Sequence, residues 1–311
     1  MYFADYHMHS KYSFDGAEEL EAMCREAVKK GLNEIAVTDH MDIYEGLDYG
    51  QMKNFDVDQD LPPFGPDGRP SYDFPGGQLV EIPGGSMVMP GGVLCKMDVS
   101  GLYTQLYALT ARWAGRLKVR VGSELGQPMR NKAAADKFLA DWPLDFVIGS
   151  IHNMDHDLDV YYYDFTKLDP ARVYSAYLDR LLELAREGDF DVLGHITYPV
   201  RYMEKGIGRQ LDLTPFTDRF RDLFGILEYA GRGIELNVSG LCRGIGSTMP
   251  PLPILKLYRE CHGEIITVGS DAHELAHIGG YQQEAQDMLL EAGFRYITTF
   301  EKRKADFVKI S

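Results

Sequence analysis

The chain of 311 residues is 45% hydrophobic and 25% charged, enough for one large soluble core or two ordinary ones. Its 32 basic residues against 47 acidic ones leave a net charge of −15, which disfavours a grip on a phosphate backbone, so no nucleic-acid partner is expected. No apolar run approaches the roughly 18 residues of a membrane span, and the opening Met1-Tyr2-Phe3-Ala4-Asp5 lacks the order of a signal peptide, so no membrane partner is expected and the cytoplasm is the expected compartment.

In chain order, short β-like apolar runs alternate with amphipathic helical stretches, the pattern of an α/β fold with parallel strands. The first strand is expected over Tyr2 to Tyr6. A helix follows, with Leu20, Met23, Ala27 and Val28 at helical spacing before a basic last turn and a glycine stop, Lys29-Lys30-Gly31. The second strand is Glu34 to Val37. Residues 61–92 are crowded with Pro-Gly-Gly triplets and cannot carry a long regular element; they read as an insertion between the second and third strands, either a lid over a site or a passive surface excursion. Strands at Val119 to Val121, Asp145 to Ile148 and Asp191 to Leu193 come next. Thr214 and Pro215 then read as the N-cap and first residue of a helix that turns Phe216, Phe220, Leu223, Phe224 and Leu227 to one face. Strands at Ile234 to Val238 and Ile265 to Val268 precede a helix with Ala285, Met288, Leu289 and Ala292 on one side, closed by Gly293. Tyr296 to Thr299 is a candidate eighth strand. Seven or eight such units over residues 1–311 predict a single closed barrel of the triosephosphate-isomerase type or a relative, with an open doubly wound sheet as the alternative.

The residues that carry chemistry gather at the ends of these strands. His7-Met8-His9 ends the first, and side chains two apart on a strand share a face. Thr38-Asp39-His40 ends the second, Gly122-Ser123-Glu124 the third, Ser150-Ile151-His152 the fourth, Gly194-His195 the fifth and Asp271-Ala272-His273 the seventh. Six of the nine histidines thus lie just past a strand's C-terminal end, the face on which barrels of this kind build their sites. With Asp15, Glu124 and Asp271 they form a nitrogen and oxygen ligand field suited to zinc, manganese or iron, too large for one ion and sufficient for two or three. Asp15 also reads as a cap of the first helix, and Asp271 as a cap of the segment that follows it. The remaining histidines, His156, His262 and His277, lie off the strand ends and are read as ordinary surface or hydrogen-bonded side chains. The four cysteines, Cys24, Cys95, Cys242 and Cys261, are far apart and suggest neither disulfides nor a thiolate site.

In combination, His7-x-His9, Asp15, Thr38-Asp39-His40, Glu124, His152, His195 and Asp271-x-His273 resemble the PHP family, named for polymerase and histidinol phosphatase domains. Stretches such as Asp5-Tyr6-His7-Met8-His9-Ser10 and Thr267-Val268-Gly269-Ser270-Asp271-Ala272-His273 are most similar to its histidinol-phosphatase branch. The resemblance implies a distorted (β/α)7 barrel and metal-dependent hydrolysis of a small phosphorylated substrate, with L-histidinol phosphate first and a nucleotide or other small ester as the alternative. It further implies a first ion at His7, His9, Glu124 and Asp271, a second at Glu124, His152 and His195, and a third at Asp15, His40 and His273, where some members have histidine in place of Asp15. Glu124, Asp271 and His273 are the expected catalytic residues around a hydroxide bridging two ions about 3.5 to 4 Å apart. Arg201, and secondarily Arg243, are the expected clamps on the phosphate oxygens. A non-catalytic, metal-stabilised domain would be expected to lack ligands, and none of these is missing.

Overall fold

The computed structural model describes residues 1–54, 78–89, 93–154 and 158–310. Its centre is a ring of parallel strands: β1 (Ala4–Asp5), β2 (Glu34–Val37) with its continuation β3 (His40–Asp42), β8 (Lys118–Gly126), β9 (Phe146–Ser150), β10 (Val192–Leu193), β11 (Gly233–Asn237) and β12 (Ile266–Gly269). Each pairs with the next in register, and the ring closes where Tyr6 N–H donates to Val268 C=O at 2.8 Å and Asp271 N–H to His7 C=O at 2.7 Å. This is a nearly closed seven-stranded barrel: the alternation of runs predicts a closed barrel of seven or eight units, and the family resemblance implies seven. Strands β2 and β3 both pair with β8, interrupted at Thr38 and Asp39.

Helices α1 (Leu20–Lys29), α2 (Val99–Trp113), α3 (Lys132–Asp141), α4 (Pro170–Glu187), α5 (Val200–Ile207), α6 (Thr217–Tyr229), α7 (Ser239–Cys242), α8 (Leu252–Glu260) and α9 (Gln282–Ala292) connect or follow the strands. The apolar stripes read from the sequence are buried: Leu20, Met23, Cys24 and Ala27 on α1, and Phe220, Leu223, Phe224 and Leu227 on α6. The start of α6 differs from the expectation. Thr214 lies inside a 3₁₀ turn, Thr214–Phe216, and the carboxylate that accepts its N–H is Asp212 at 2.9 Å, two residues earlier.

Two corrections concern the rest of the sheet. Tyr296 to Thr299 is no barrel strand: β13 (Tyr296–Glu301) pairs antiparallel with β14 (Lys304–Lys309) in a separate hairpin. That hairpin closes the N-terminal end of the barrel, where Phe300 packs on Phe146 (ring centroids 5.0 Å apart) and near Tyr6 (6.4 Å). The Pro/Gly-rich insertion does carry regular structure. Strands β4 (Gln51–Asn54) and β7 (Val93–Lys96) pair antiparallel at its base, and β5 (Gln78–Ile82) and β6 (Gly85–Met89) form a hairpin within it. The hairpin's turn is fastened to the start of α4, with Asp169 N–H donating to Gly84 C=O at 3.0 Å. Residues 61–77 and 90–92 of the expected insertion lie outside the described residues, as does His156.

Candidate metal centre

The C-terminal ends of the strands deliver the nine sequence-selected ligands to one place. His7 and His9 follow β1, His40 opens β3, Glu124 sits inside the long β8, and His152, His195 and Asp271 follow β9, β10 and β12. Glu124 is at the middle and fully buried. Its Oε1 lies 2.8 Å from His195 Nε2 and 3.0 Å from His152 Nε2, while its Oε2 lies 3.0 Å from His40 Nδ1, 3.2 Å from His7 Nε2 and 3.5 Å from His9 Nε2. One carboxylate therefore faces two separate groups of imidazoles, the arrangement of a bridging ligand.

Asp271 approaches from the far side, Oδ1 at 3.3 Å from His9 Nε2 and 3.7 Å from His7 Nε2. Its backbone is left-handed (φ 53°), a conformation that aspartate tolerates better than most residues and that persists where the surroundings over-determine it. Asp271 does not cap the turn after it: Leu275–His277 starts at Glu274 with no side-chain cap. Asp15 likewise caps nothing, because α1 begins at Leu20; instead its Oδ2 lies 3.0 Å from His273 Nε2 and its Oδ1 3.6 Å from His40 Nε2. His9 stacks between His40 and His273, with ring centroids 4.2 Å from each. Ligand atoms of His7, His9 and Glu124, of Glu124, His152 and His195, and of His9, His40 and His273 each converge within 4.8 Å. His262 is exposed and His277 half-buried, both outside the cavity.

These side chains fit divalent ions on a specific observation. His7 Nε2, His9 Nε2, His40 Nδ1, His273 Nε2 and Glu124 Oε2 are all buried, and among the described residues none has an aligned hydrogen-bond partner although they crowd together. Close but unaligned donor atoms are what ligands aimed at shared ions about 2.0–2.2 Å away look like, whereas unpaired buried polar atoms are costly. The titration tendencies of Glu124, Asp271 and His9 agree, while that of His7 favours its protonated form until an ion takes the proton's place. Burial would raise Glu124, but His152, His7 and His40 hold it well below the usual carboxylate range, and His7 and His9 do the same for Asp271. Burial together with His40 and His273 pushes His9 well below the usual imidazole range. For His7, burial is outweighed by Glu235, Glu124 and Asp271, which hold it well above that range.

Several residues that the sequence reading did not single out hold this set in place. Glu235 accepts from His7 Nδ1 at 2.7 Å and from His195 N–H at 2.9 Å, fixing one imidazole's orientation and one ligand's backbone together. Gly269 leaves it room, since a Cβ there would collide with Glu235 and His7. Asp42 Oδ1 lies 3.1 Å from His152 Nδ1 in the same role, over Gly126, and Ser150 donates to Glu124 Oε1 at 2.7 Å. Asp39 accepts from Ser10 and Ser13, and Ser13 lies 3.2 Å from His9 Nδ1.

A cavity of about 290 Å³ opens over the cluster, lined on its outer wall by Arg201, Arg243, Asp159 and several tyrosines. Arg201 lies between the Tyr198 and Tyr202 rings, its Cζ 4.5 and 4.7 Å from their centroids, and its buried Nε and Nη1 have no hydrogen-bond partner among the described residues. Arg243 is exposed at the rim, 3.4 Å from His273 Nδ1. Tyr44 and Met52 also line the cavity, which places the base of the insertion at its edge.

A model of the PHP domain matches residues 5–239. The chain is 25% identical over 312 residues to the histidinol-phosphatase of Lactococcus lactis subsp. lactis (strain IL1403), covering 97% of this chain and 96% of that protein. It is 23% identical over 300 residues, 96% of each chain, to a Thermotoga maritima protein named "Probable histidinol-phosphatase". The crystal structure of histidinol phosphate phosphatase from L. lactis, complexed with zinc, L-histidinol and phosphate, aligns over 98% of both chains with a TM-score of 0.71 at 21% identity. Matched by its model over more than half of its length and folded as the same barrel, the chain belongs to the PHP domain family.

Proposed function

We propose that the protein is a metal-dependent phosphomonoesterase of the histidinol-phosphatase type, which hydrolyses L-histidinol phosphate to L-histidinol and phosphate. The observation that carries this reading is the juxtaposition, in one cavity, of the convergent unpartnered ligand atoms with the buried, unpartnered edge of Arg201. The relatives named above, matched over nearly the whole chain, support the choice of substrate.

In this reading His7, His9, Glu124 and Asp271 hold one ion, Glu124, His152 and His195 a second, and Asp15, His40 and His273 a third, with zinc the leading candidate. Bound divalent ions lower the pKa of a coordinated water to about 7 and offset charge on the phosphoryl oxygens. The chain's own residues do the rest. Arg201, held flat by Tyr198 and Tyr202, presents Nε and Nη1 to two phosphate oxygens, and Arg243 closes the rim beside them. Glu235 and Asp42 fix a proton on the outer nitrogens of His7 and His152, so the inner nitrogens, facing the cavity, are the ones that would give up their proton to an ion. Burial of the cluster keeps these dipoles fixed through the displacement.

The test is phosphate release by the zinc-loaded protein from L-histidinol phosphate beside nucleotides and sugar phosphates, with metal content measured on the same sample. Strong preference for L-histidinol phosphate is expected. Turnover confined to a nucleotide or sugar ester would replace the substrate, and bound metal without turnover of any ester would overturn the reading.

A further inference from the structure

Groups of both signs line the cavity above the cluster. Arg201, whose buried Nε and Nη1 have no hydrogen-bond partner among the described residues, is a place for an anion. Asp159 lines the same cavity and accepts from the Tyr198 hydroxyl at 3.0 Å and from Tyr161 N–H at 2.7 Å. Those two donors leave part of the carboxylate's lone-pair capacity open. Among the described residues no lysine or arginine makes an ion pair with it, and the charges that bear on it most are His152 and a second carboxylate, Asp42. Burial raises the Asp159 carboxyl above its usual range, a cost that an entering cation would relieve.

Tyr198 joins the two poles. Its ring face covers the Arg201 guanidinium and its hydroxyl bonds to Asp159, so the anion-binding and cation-binding groups are spaced by the body of one tyrosine. That spacing suits a small molecule with a phosphate at one end and an ammonium a few bonds away. Tyr44, Tyr161 and Tyr162 line the same cavity and add aromatic surface suited to an organic cation.

We propose that Asp159 is a specificity-determining residue that binds a cationic group on the leaving alcohol while Arg201 holds the phosphate, so that the site selects phosphate monoesters of amino alcohols over uncharged ones; this rests on the phosphomonoesterase reading of the same site. An ester without the cation would leave the half-buried Asp159 carboxylate without a counter-charge, and a site built to bond a substrate group discriminates against the analogue that lacks it.

The experiment compares kcat/KM for L-histidinol phosphate with that for the imidazolyl-propanol ester lacking only the ammonium group, in the zinc-loaded wild type and in Asp159→Asn. The wild type is expected to prefer the cationic ester by about ten- to a hundredfold, and Asp159→Asn to lose that preference, chiefly through KM. Tyr198→Phe, which removes the hydroxyl that orients Asp159, should lose part of it. A wild type with no preference, or equal losses on both esters in Asp159→Asn, overturns the assignment. Calorimetric binding of L-histidinol separates this proposal from the catalytic reading. If no ester is hydrolysed and Asp159→Asn still weakens L-histidinol binding by about tenfold or more, the phosphatase reading fails and the Asp159 site stands; if hydrolysis proceeds and binding is unchanged in the variant, the Asp159 site fails alone.

Discussion

Glu34 and Glu124 are both fully buried glutamates on neighbouring barrel strands, one at each end of the barrel. At the closed end Glu34 accepts from Tyr6 OH (2.7 Å), Tyr2 OH (2.5 Å) and Arg120 Nε (2.5 Å), and Arg120 reaches on to Glu301 of the covering hairpin at 2.8 Å. The nearby Asp145 and Asp191 are also answered from within the chain, Asp145 by the N–H groups of Val121 and Lys302, Asp191 by Val147 N–H and Arg303 Nε. At the open end Glu124 is ringed by five imidazoles within 3.5 Å, yet its Oε2 and an inner ring nitrogen on four of the six cluster histidines are buried without an aligned partner among the described residues. Equal burial with unequal satisfaction separates an end that holds the fold together from one built to receive something.

The widest break in this contrast comes from removing two of the proposed ligands at once. His7→Ala with His9→Ala should reduce turnover to background and lower the zinc content, read by phosphate release and metal analysis on one preparation. The closed end takes no part, so the far-ultraviolet spectrum should keep its α/β form. Unchanged turnover would sink the site assignment.

The complementary break is at the closed end. Glu34→Ala strands the Arg120 guanidinium and two tyrosine hydroxyls, and breaking such a buried set costs about 3–5 kcal/mol. A large fall in the denaturation midpoint is expected, with metal content and kcat per folded molecule close to the wild type. Loss of zinc at full stability would show that the two ends are not independent.

How far this contrast could be read beforehand differs between the ends. The open end was legible because its histidines recur at one place in the alternating pattern, just after each apolar run, and a parallel barrel brings those places together. Its supporting groups were not. Glu235 bonds to a histidine 228 residues away, and nothing local says which strand will lie beside β11; the only signal was an acidic residue between Ile234 and Leu236 in a buried strand. The closed end was misread for a related reason. Tyr296 to Thr299 has strand character, but its antiparallel partner follows a two-residue turn, Lys302-Arg303, with φ of 52° and 63°. Turns of this kind usually announce themselves with asparagine and glycine. Here the strain is absorbed by Asp145, which accepts from Lys302 N–H with its side chain and from Arg303 N–H with its carbonyl, both at 2.9 Å. The insertion hid its hairpin in the same way, since the contact that fixes it is with Asp169 at the start of α4.

Arg201→Ala sharpens the contrast inside the open end, because it removes the proposed substrate contact and none of the proposed ligands. Loss of one preorganised donor to a developing oxyanion costs about 10²–10³ in kcat. The expected result is a fall of that size in kcat/KM with the full zinc content retained. Zinc loss would mean that Arg201 holds the cluster together instead.

Glu235→Gln gives the smallest effect and the most specific one, because it leaves every ligand in place. The amide can still accept from His195 N–H, but it removes the negative charge that, after burial has opposed it, holds the proton on His7. Outer-shell partners of this kind are worth about 10–100-fold in metal affinity or activity. Zinc titration of the metal-free variant should therefore show weaker binding at the ion held by His7, while the denaturation midpoint of the metal-free protein stays near the wild type, since Glu235 belongs to none of the closed-end contacts. If the metal-free midpoint falls instead and the zinc affinity holds, Glu235 would be a structural residue like Glu34, and the boundary between the two ends would lie one turn of the barrel deeper than the unpartnered atoms place it.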